Sequence, residues 1–339
     1  MIPEASLYIH VPFCTKKCHY CHFYVIPDKP EFKKIYMETL KREWEFKKHL
    51  IPVCRSIYFG GGTPSLLGSD NISEILSWLP SAPEITLEAN PESIAHFPGI
   101  NRLSIGVQSF NDDHLKRLGR THNAKEAFDA IAHSSIKNIS IDLMYDLPNQ
   151  TLADWEYSLD CALSLPISHL SLYNLTIEPH TAFYKRRKNL ALPSGEDSLK
   201  MLQMAIDKTA GILERYELSA FAKPGFESQH NIGYWTGRPF IGLGPSAYSY
   251  WEGARFRNPA HFHEWTRDVT AQDCYEKLSP EHQKLELLAI GLRLIKGIKT
   301  DVNVDHLIDK GYVTREGELV RLTTFGQLFH DTVAEEIVA

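Results

Sequence analysis

Three cysteines, Cys14, Cys18 and Cys21, stand directly after the strand-like run Ser6 to Val11. The spacing Cys-x3-Cys-x2-Cys gathers three soft thiolates on one loop yet supplies one ligand fewer than a closed site needs. It therefore suits a metal centre with an open coordination position, and an iron–sulfur cluster on three protein ligands leads. Structural zinc is the weaker alternative, because it wants four ligands in two separated pairs and only His10, His19 and His22 lie near. A disulfide framework does not fit: six cysteines in 339 residues are sparse, and Cys54, Cys161 and Cys274 are scattered without pattern. The bland alternative is three buried thiols in a loop.

Further residues of chemical type fall at the ends of apolar runs. Gly60-Gly61-Gly62-Thr63-Pro64 follows Ser56 to Phe59, and glycines there let backbone approach a ligand closely. The run lacks the spacing of dinucleotide or P-loop sites, so a small-molecule cradle is favoured over phosphate binding, with a plain tight turn as the alternative. Glu88 and Gln108 each end a run with a group able to hydrogen-bond hydroxyls or an ammonium. Arg120 offers a fork for a carboxylate, and Asp142 is a charge amid apolar neighbours that needs a partner. Taken singly, each is more often a surface group or a cap. Farther along, His230-Asn231-Ile232-Gly233-Tyr234-Trp235 joins a possible axial metal ligand to two large aromatics, which suits a flat macrocycle; the alternative is a packed core corner.

The elements that must position these groups alternate. Strand-like runs are Leu7 to Val11, Ser56 to Phe59, Ile85 to Glu88, Leu103 to Gln108, Ile139 to Met144 and Leu170 to Thr176. Helix-like stretches are Glu31 to Leu50, Asp70 to Leu79, Ala124 to Ser134, Leu152 to Leu163 and Ser198 to Arg215, so the order reads βα throughout. Near-continuous apolar strands with chemistry beyond their C-terminal ends indicate an α/β barrel face. Six units are too few for a closed eight-stranded barrel, so a partial (β/α)6-type barrel with a wide mouth is expected, a doubly wound sheet being the alternative. Residues 1–222 form this core; 223–273 are a connecting segment rich in Gly, His and aromatics; 274–339 form a small, mostly helical accessory domain. Two brief strands around Glu316-Gly317 fit the wing of a winged-helix-like unit.

Apolar residues at 43% and charged residues at 23% describe an ordinary globular chain, and a net charge of −6 gives no overall basic footprint for nucleic acid. No apolar stretch approaches the 18 residues of a membrane span, and the run Met1 to Ser6 carries no visible secretory signal. A soluble, cytoplasmic protein is the expectation.

Taken together, these segments resemble the radical S-adenosylmethionine superfamily. Within it, the branch of the oxygen-independent coproporphyrinogen III oxidases matches on Tyr8 to Cys14, Cys18 to Cys21, Gly60 to Pro64, Arg102 to Phe110 and Gly242 to Pro245. The resemblance implies a [4Fe–4S] cluster on Cys14, Cys18 and Cys21, with S-adenosylmethionine chelating the fourth iron. It places Tyr8, Tyr20, Gly61, Gly62, Thr63, Glu88, Gln108, Arg120 and Asp142 at the family's S-adenosylmethionine contacts, some of them for a second such molecule. The chemistry implied is one-electron reduction of the sulfonium, leaving a 5′-deoxyadenosyl radical. Three details point to the heme-chaperone side of the branch: Phe23 where the oxidases add a fourth cysteine, only 13 residues before Cys14, and the His230 to Trp235 motif. On that side the cargo is heme, held near His230, Tyr234 and Trp235, and the partners are heme-acceptor proteins and an electron donor. Oxidative decarboxylation of coproporphyrinogen III is the alternative, and radical chemistry on another substrate a third reading. His22, Asp146 and Tyr248 depart from the family pattern; Asp146 adds a charge near Asp142, and Tyr248 replaces a frequent His, leaving His230 the better axial candidate.

Overall fold

The computed structural model describes residues 4–51 and 53–339. Residues 1–3 of the run read for a secretory signal lie outside the described residues. Six strands run in chain order as expected: β1 (Glu4–Val11), β2 (Val53–Gly61), β3 (Glu84–Ala89), β4 (Arg102–Gln108), β5 (Asn138–Tyr145) and β6 (His169–Asn174). They lie side by side and parallel in that order. Their residues alternate faces: Leu103, Ile105 and Val107 of β4 and Ile139, Ile141 and Leu143 of β5 are buried in the core. The residues between them are therefore left to the opposite, concave face.

The connecting helices are α1 (Pro30–Lys47), α2 (Ser69–Trp78), α3 (Asp112–Leu118), α4 (Ala124–Ala132) and α5 (Leu152–Ser164). Between β3 and β4 only a single 3₁₀ turn, Pro91–Ser93, replaces a helix, so the βα alternation is interrupted there. After β6 come α6 (Ala182–Arg186) and α7 (Gly195–Thr209). A hairpin of β7 (Glu214–Glu217) and β8 (Ala220–Ala222) closes that edge antiparallel to β6.

The sheet is wider than six strands. Residues 223–273, expected only to connect, hold α8 (Gln229–Trp235) and α9 (Phe262–Arg267), and the strands β9 (Phe240–Leu243), β10 (Tyr248–Trp251) and β11 (Ala254–Arg257). β9 lies parallel to β1 on its free edge; β10, β11 and β12 (Cys274–Lys277) continue outward antiparallel. The sequence hid this because β9 is four residues long and set among glycines.

A buried polar knot fixes the new edge. Glu43 and Lys47 share the buried face of α1, with their charges 2.6 Å apart. Lys47 Nζ also donates to Asn258 Oδ1 at 2.8 Å and to the Gly242 carbonyl at 3.1 Å. Glu43 Oε2 accepts from the Gly244 amide at 2.8 Å and from Trp265 Nε1 at 2.9 Å. A buried ion pair is tolerable only when its remaining hydrogen-bonding capacity is met like this.

The C-terminal unit has its own core, Leu288, Leu292, Val304, Leu307, Val320 and Val333 among it. It is built from α10 (Pro280–Gly291), α11 (Asp305–Asp309), α12 (Thr324–Leu328), α13 (His330–Val338) and a three-stranded sheet. The expected wing is the hairpin of two of its strands, Val313–Glu316 and Leu319–Leu322. No helix among the described residues is long and apolar enough to cross a membrane.

Candidate functional site

The cysteine loop and the glycine run are stitched together by their backbones. The Gly62 amide donates to the Val11 carbonyl and the Thr63 amide to the Phe13 carbonyl, both at 2.8 Å. Gly61 sits at φ +114°, which excludes other residues on steric grounds, and a Cβ on Gly62 would fall 2.6 Å from the Phe13 carbonyl oxygen. Glycine is thus required for this approach of two chains.

The three thiols line one cavity of about 370 Å³ at the C-terminal ends of the parallel strands. All three are free and half-buried. Cys14 Sγ lies 3.6 Å from Thr63 Oγ1, and Arg120 Nη1 donates to Cys18 Sγ at 3.5 Å. Burial pushes the Cys14 thiol up to about 11 and raises Cys21 as well, so both are neutral until a metal displaces their protons. Among the described residues no three His, Cys, Asp or Glu side chains converge closely enough to hold one ion.

Two partly buried carboxyls, Glu88 and Asp142, line the same cavity. Glu88 Oε1 accepts from the Tyr58 hydroxyl at 2.8 Å and Oε2 from the Gly61 amide at 3.1 Å. Burial nevertheless raises its pKa to about 7, with the Asp142 charge adding to the rise. Asp142 accepts weakly from Ser104 at 3.3 Å, and burial raises it to about 6. Two carboxyls poised between neutral and charged on one wall suit a cationic ligand, which would ionise them on binding.

Arg120 is more committed than a free fork. Its Nη2 donates to the Gly106 carbonyl at 2.6 Å and to Asn90 Oδ1 at 2.7 Å, while its buried Nε has no partner among the described residues. Gln108 is held at φ +70° where β4 slips register against β5, and this strained turn puts its amide on the cavity wall.

The structure thus brings the three cysteines together with Tyr20, Gly61, Gly62, Thr63, Glu88, Gln108, Arg120 and Asp142. Tyr8 is the exception. Its ring lies behind Gly60, stacked near Tyr58, and its hydroxyl meets His10 Nδ1 at 3.1 Å. Asn90, which ties Arg120 to Thr63, and Tyr58, which holds Glu88, were missed by sequence reasoning. Ser104 and Tyr173 on the cavity wall were missed too, although a polar residue between buried apolar ones was a usable signal for Ser104. Asp146, expected to add charge near Asp142, gives its carboxylate to Asn174 and Ser198 instead.

A second cavity, about 310 Å³, opens between α8, the strands β9 to β11 and helix α10. Tyr234, Trp235, Phe240, Tyr248 and Tyr250 supply aromatic walls. Of the charged residues there, Arg255 is paired with Glu276 and with Glu286, itself on the wall, and Lys284 with Asp301, while Arg238 has no carboxylate partner among the described residues. Phe240 and Arg255 are the register partners of Tyr250, on either side of β10, so these three share one face of the sheet.

His230 does not stand open in this cavity as an axial ligand would. It is buried, 1% exposed, between Ser56 and Tyr234. The Ser56 hydroxyl donates to Ser6, so it accepts from His230 Nδ1 at 2.9 Å; Nε2 then accepts from the Tyr234 hydroxyl at 2.8 Å. The ring stacks on Tyr58 at 4.9 Å, and burial lowers its pKa to about 3, so it is a neutral bolt. The Glu84 carboxylate accepts from the Gln229 and His230 amides, fixing α8 to the sheet. Through Tyr58, this bolt lies one residue from Glu88 and the first cavity.

Comparison with known proteins agrees with this geometry. The family profile of the Radical SAM superfamily matches residues 8–162. The heme chaperone HemW of Bacillus subtilis (strain 168) is 33% identical, over 97% of this chain and 97% of its own length. HemW of Escherichia coli (strain K12) is 34% identical, over 100% and 99%. Among solved structures, coproporphyrinogen III oxidase (HemN) from Escherichia coli superposes with a TM-score of 0.83 at 23% identity, covering 99% of this chain and 90% of that one. At that identity the likeness speaks for the fold. The chain belongs to the radical SAM superfamily and, within it, to the family of the HemW heme chaperones.

Proposed function

We propose that this protein carries heme and passes it to acceptor proteins, with a [4Fe–4S] cluster and S-adenosylmethionine held in the first cavity. Cys14, Cys18 and Cys21 are the cluster's ligands. Glu88, Gln108, Arg120 and Asp142, with the glycine cradle, take S-adenosylmethionine, and Tyr8 acts from behind by backing the cradle. When bound, the pair supplies one-electron reductive chemistry at the sulfonium. The chain's own part is to orient the ligand: the Glu88 carboxylate gives up its proton to face a cationic group, and the Gly62 backbone admits the ligand to the thiols.

The observation that carries heme handling is the second cavity. Heme is a flat aromatic dianion, and this cavity pairs five aromatic side chains with Arg238, which no carboxylate neutralises among the described residues, and with Arg255 at its rim. Tyr234 and Trp235 present their rings there, and His230 positions Tyr234 by its hydrogen bond. The HemW relatives, named as heme chaperones, support the same reading.

Heme titration followed by absorbance tests it. Tyr248→Ala with Tyr250→Ala is expected to weaken heme binding at least tenfold while acid-labile sulfide and iron stay at wild-type levels. Equal heme affinity in that variant overturns the placement. Steady protoporphyrinogen formation by wild-type protein under anaerobic reducing conditions overturns the chaperone reading altogether.

A further inference from the structure

With His230 bolted into the core, the iron of a heme in the second cavity needs another protein ligand. Such ligands come from His, Cys, Met and Tyr. Among the described residues the cavity wall holds no His, Cys or Met, but three tyrosines, Tyr234, Tyr248 and Tyr250. Tyr234 has its hydroxyl committed to His230 Nε2 at 2.8 Å. Tyr250 stands between its register partners Phe240 and Arg255, and the Arg255 guanidinium is already held by Glu276 at 2.7 Å and by Glu286 at 3.3 Å. Tyr248 differs from both. It begins β10, is 51% exposed, and its hydroxyl meets a cation: Arg257 Nη1 donates to it at 3.4 Å. Arg257 is the register partner of Tyr248 on β11, with its guanidinium 5.5 Å from the centre of the phenol ring. Its remaining ties are slight, since Asp273 pairs with it at 3.4 Å and its buried Nε has no partner among the described residues.

An arginine stacked on an exposed tyrosine is commonly a plain surface contact. Here the tyrosine is on the wall of an aromatic cavity without His, Cys or Met, and of the three tyrosines it is the one whose oxygen a guanidinium supports. A phenolate on ferric iron carries negative charge at that oxygen, and a charge-assisted hydrogen bond from arginine stabilises it there. We infer that Tyr248 is the axial ligand of ferric heme through its phenolic oxygen, and that Arg257 is the residue that positions it. The inference rests on the reading of the second cavity as the heme site and names the iron ligand within it. Binding forms one iron–oxygen bond and sends the phenolic proton to water; the iron stays ferric and no electron moves.

Ferric heme added to the cluster-loaded protein, followed by resonance Raman difference spectra against the heme-free protein, tests it. Phenolate ring modes enhanced through the iron are expected, and they should shift when the chain is made with ring-deuterated tyrosine. Tyr248→Phe should abolish these modes and weaken heme binding about tenfold, whereas Tyr250→Phe should retain them. Tyr248→His should restore tight binding with an imidazole signature, because only a residue within reach of the iron can exchange one ligand type for another. Arg257→Gln should keep heme bound but move the iron–phenolate stretch and weaken binding about threefold, and Arg257→Lys should recover part of both. Absence of phenolate modes in wild-type protein, their persistence in Tyr248→Phe, or identical heme spectra in Tyr248→His and Tyr248→Phe overturns the inference. So does a thiolate signature that disappears in Cys274→Ser, the exposed register partner of Arg257 on β12. Failure of the heme-site reading shows separately, as wild-type protein that takes up no heme at all.

Discussion

The pH dependence of S-adenosylmethionine binding offers a worked test of the first cavity. Glu88 is a partly buried carboxyl raised from an ordinary 4.5 to about 7, chiefly by desolvation, with the Asp142 charge adding to the rise. A raised carboxyl pKa means that the empty site holds the proton at pH 6, and a cationic ligand must displace it. Binding therefore tightens as pH rises and levels off above pH 7. With a pKa near 7, the ionised fraction of Glu88 is about 0.09 at pH 6 and about 0.76 at pH 7.5, so its share of the affinity gain is about eightfold, or about 1.2 kcal/mol, and Asp142, raised to about 6, adds just under about twofold with or without Glu88. Staying at or below pH 7.5 keeps most of the ligand's own amine charged. Isothermal titration of the cluster-loaded protein with S-adenosylmethionine measures this directly. Glu88→Gln keeps an acceptor for Tyr58 or Gly61 but has no proton to lose, so its weaker affinity should change less than twofold over the same range. A flat wild-type profile, or the same slope in Glu88→Gln, refutes the assignment of Glu88 to the cation.

Two further substitutions probe the scaffold. Lys47→Ala leaves the Glu43 carboxylate buried beneath β9 without its cation, which costs about 3–5 kcal/mol; a lowered urea midpoint checks it, whereas Lys200→Ala, removing an exposed pair, should leave the midpoint unchanged. His230→Ala strips hydrogen bonds from Ser56 and Tyr234 in the core and frees Tyr234 to swing, so heme affinity and thermal stability should fall together while cluster content holds. A fall in heme affinity with unchanged stability, in a scan of the same samples, would instead mark His230 as a direct ligand.

The six core strands were legible because their apolar residues run almost unbroken, and β2, β3, β4 and β6 end at or beside a glycine, carboxylate or amide. The cysteine spacing likewise declared an open metal site before any geometry was known. Strand β9 was not legible: four residues among glycines show no period, and only the Glu43–Lys47–Asn258 knot, assembled from distant segments, seats it. His230 stayed ambiguous for a related reason. A histidine beside Tyr and Trp reads as a ligand until Ser56, 174 residues earlier, is seen to take its second nitrogen. Tyr8 entered by resemblance alone, and the sequence does not reveal that Gly60 lies between its ring and the cavity. Asn90 and Tyr58 act through partners on neighbouring strands, which register alone reveals.

The central claim is that heme and S-adenosylmethionine occupy two separate cavities of one chain. Anaerobic heme titration of cluster-loaded protein, run with and without saturating S-adenosylmethionine, tests it most directly. One heme per chain is expected in both cases, with affinities within about threefold and the cluster absorbance retained. Competitive displacement of heme by S-adenosylmethionine, or loss of the cluster on heme binding, would contradict it.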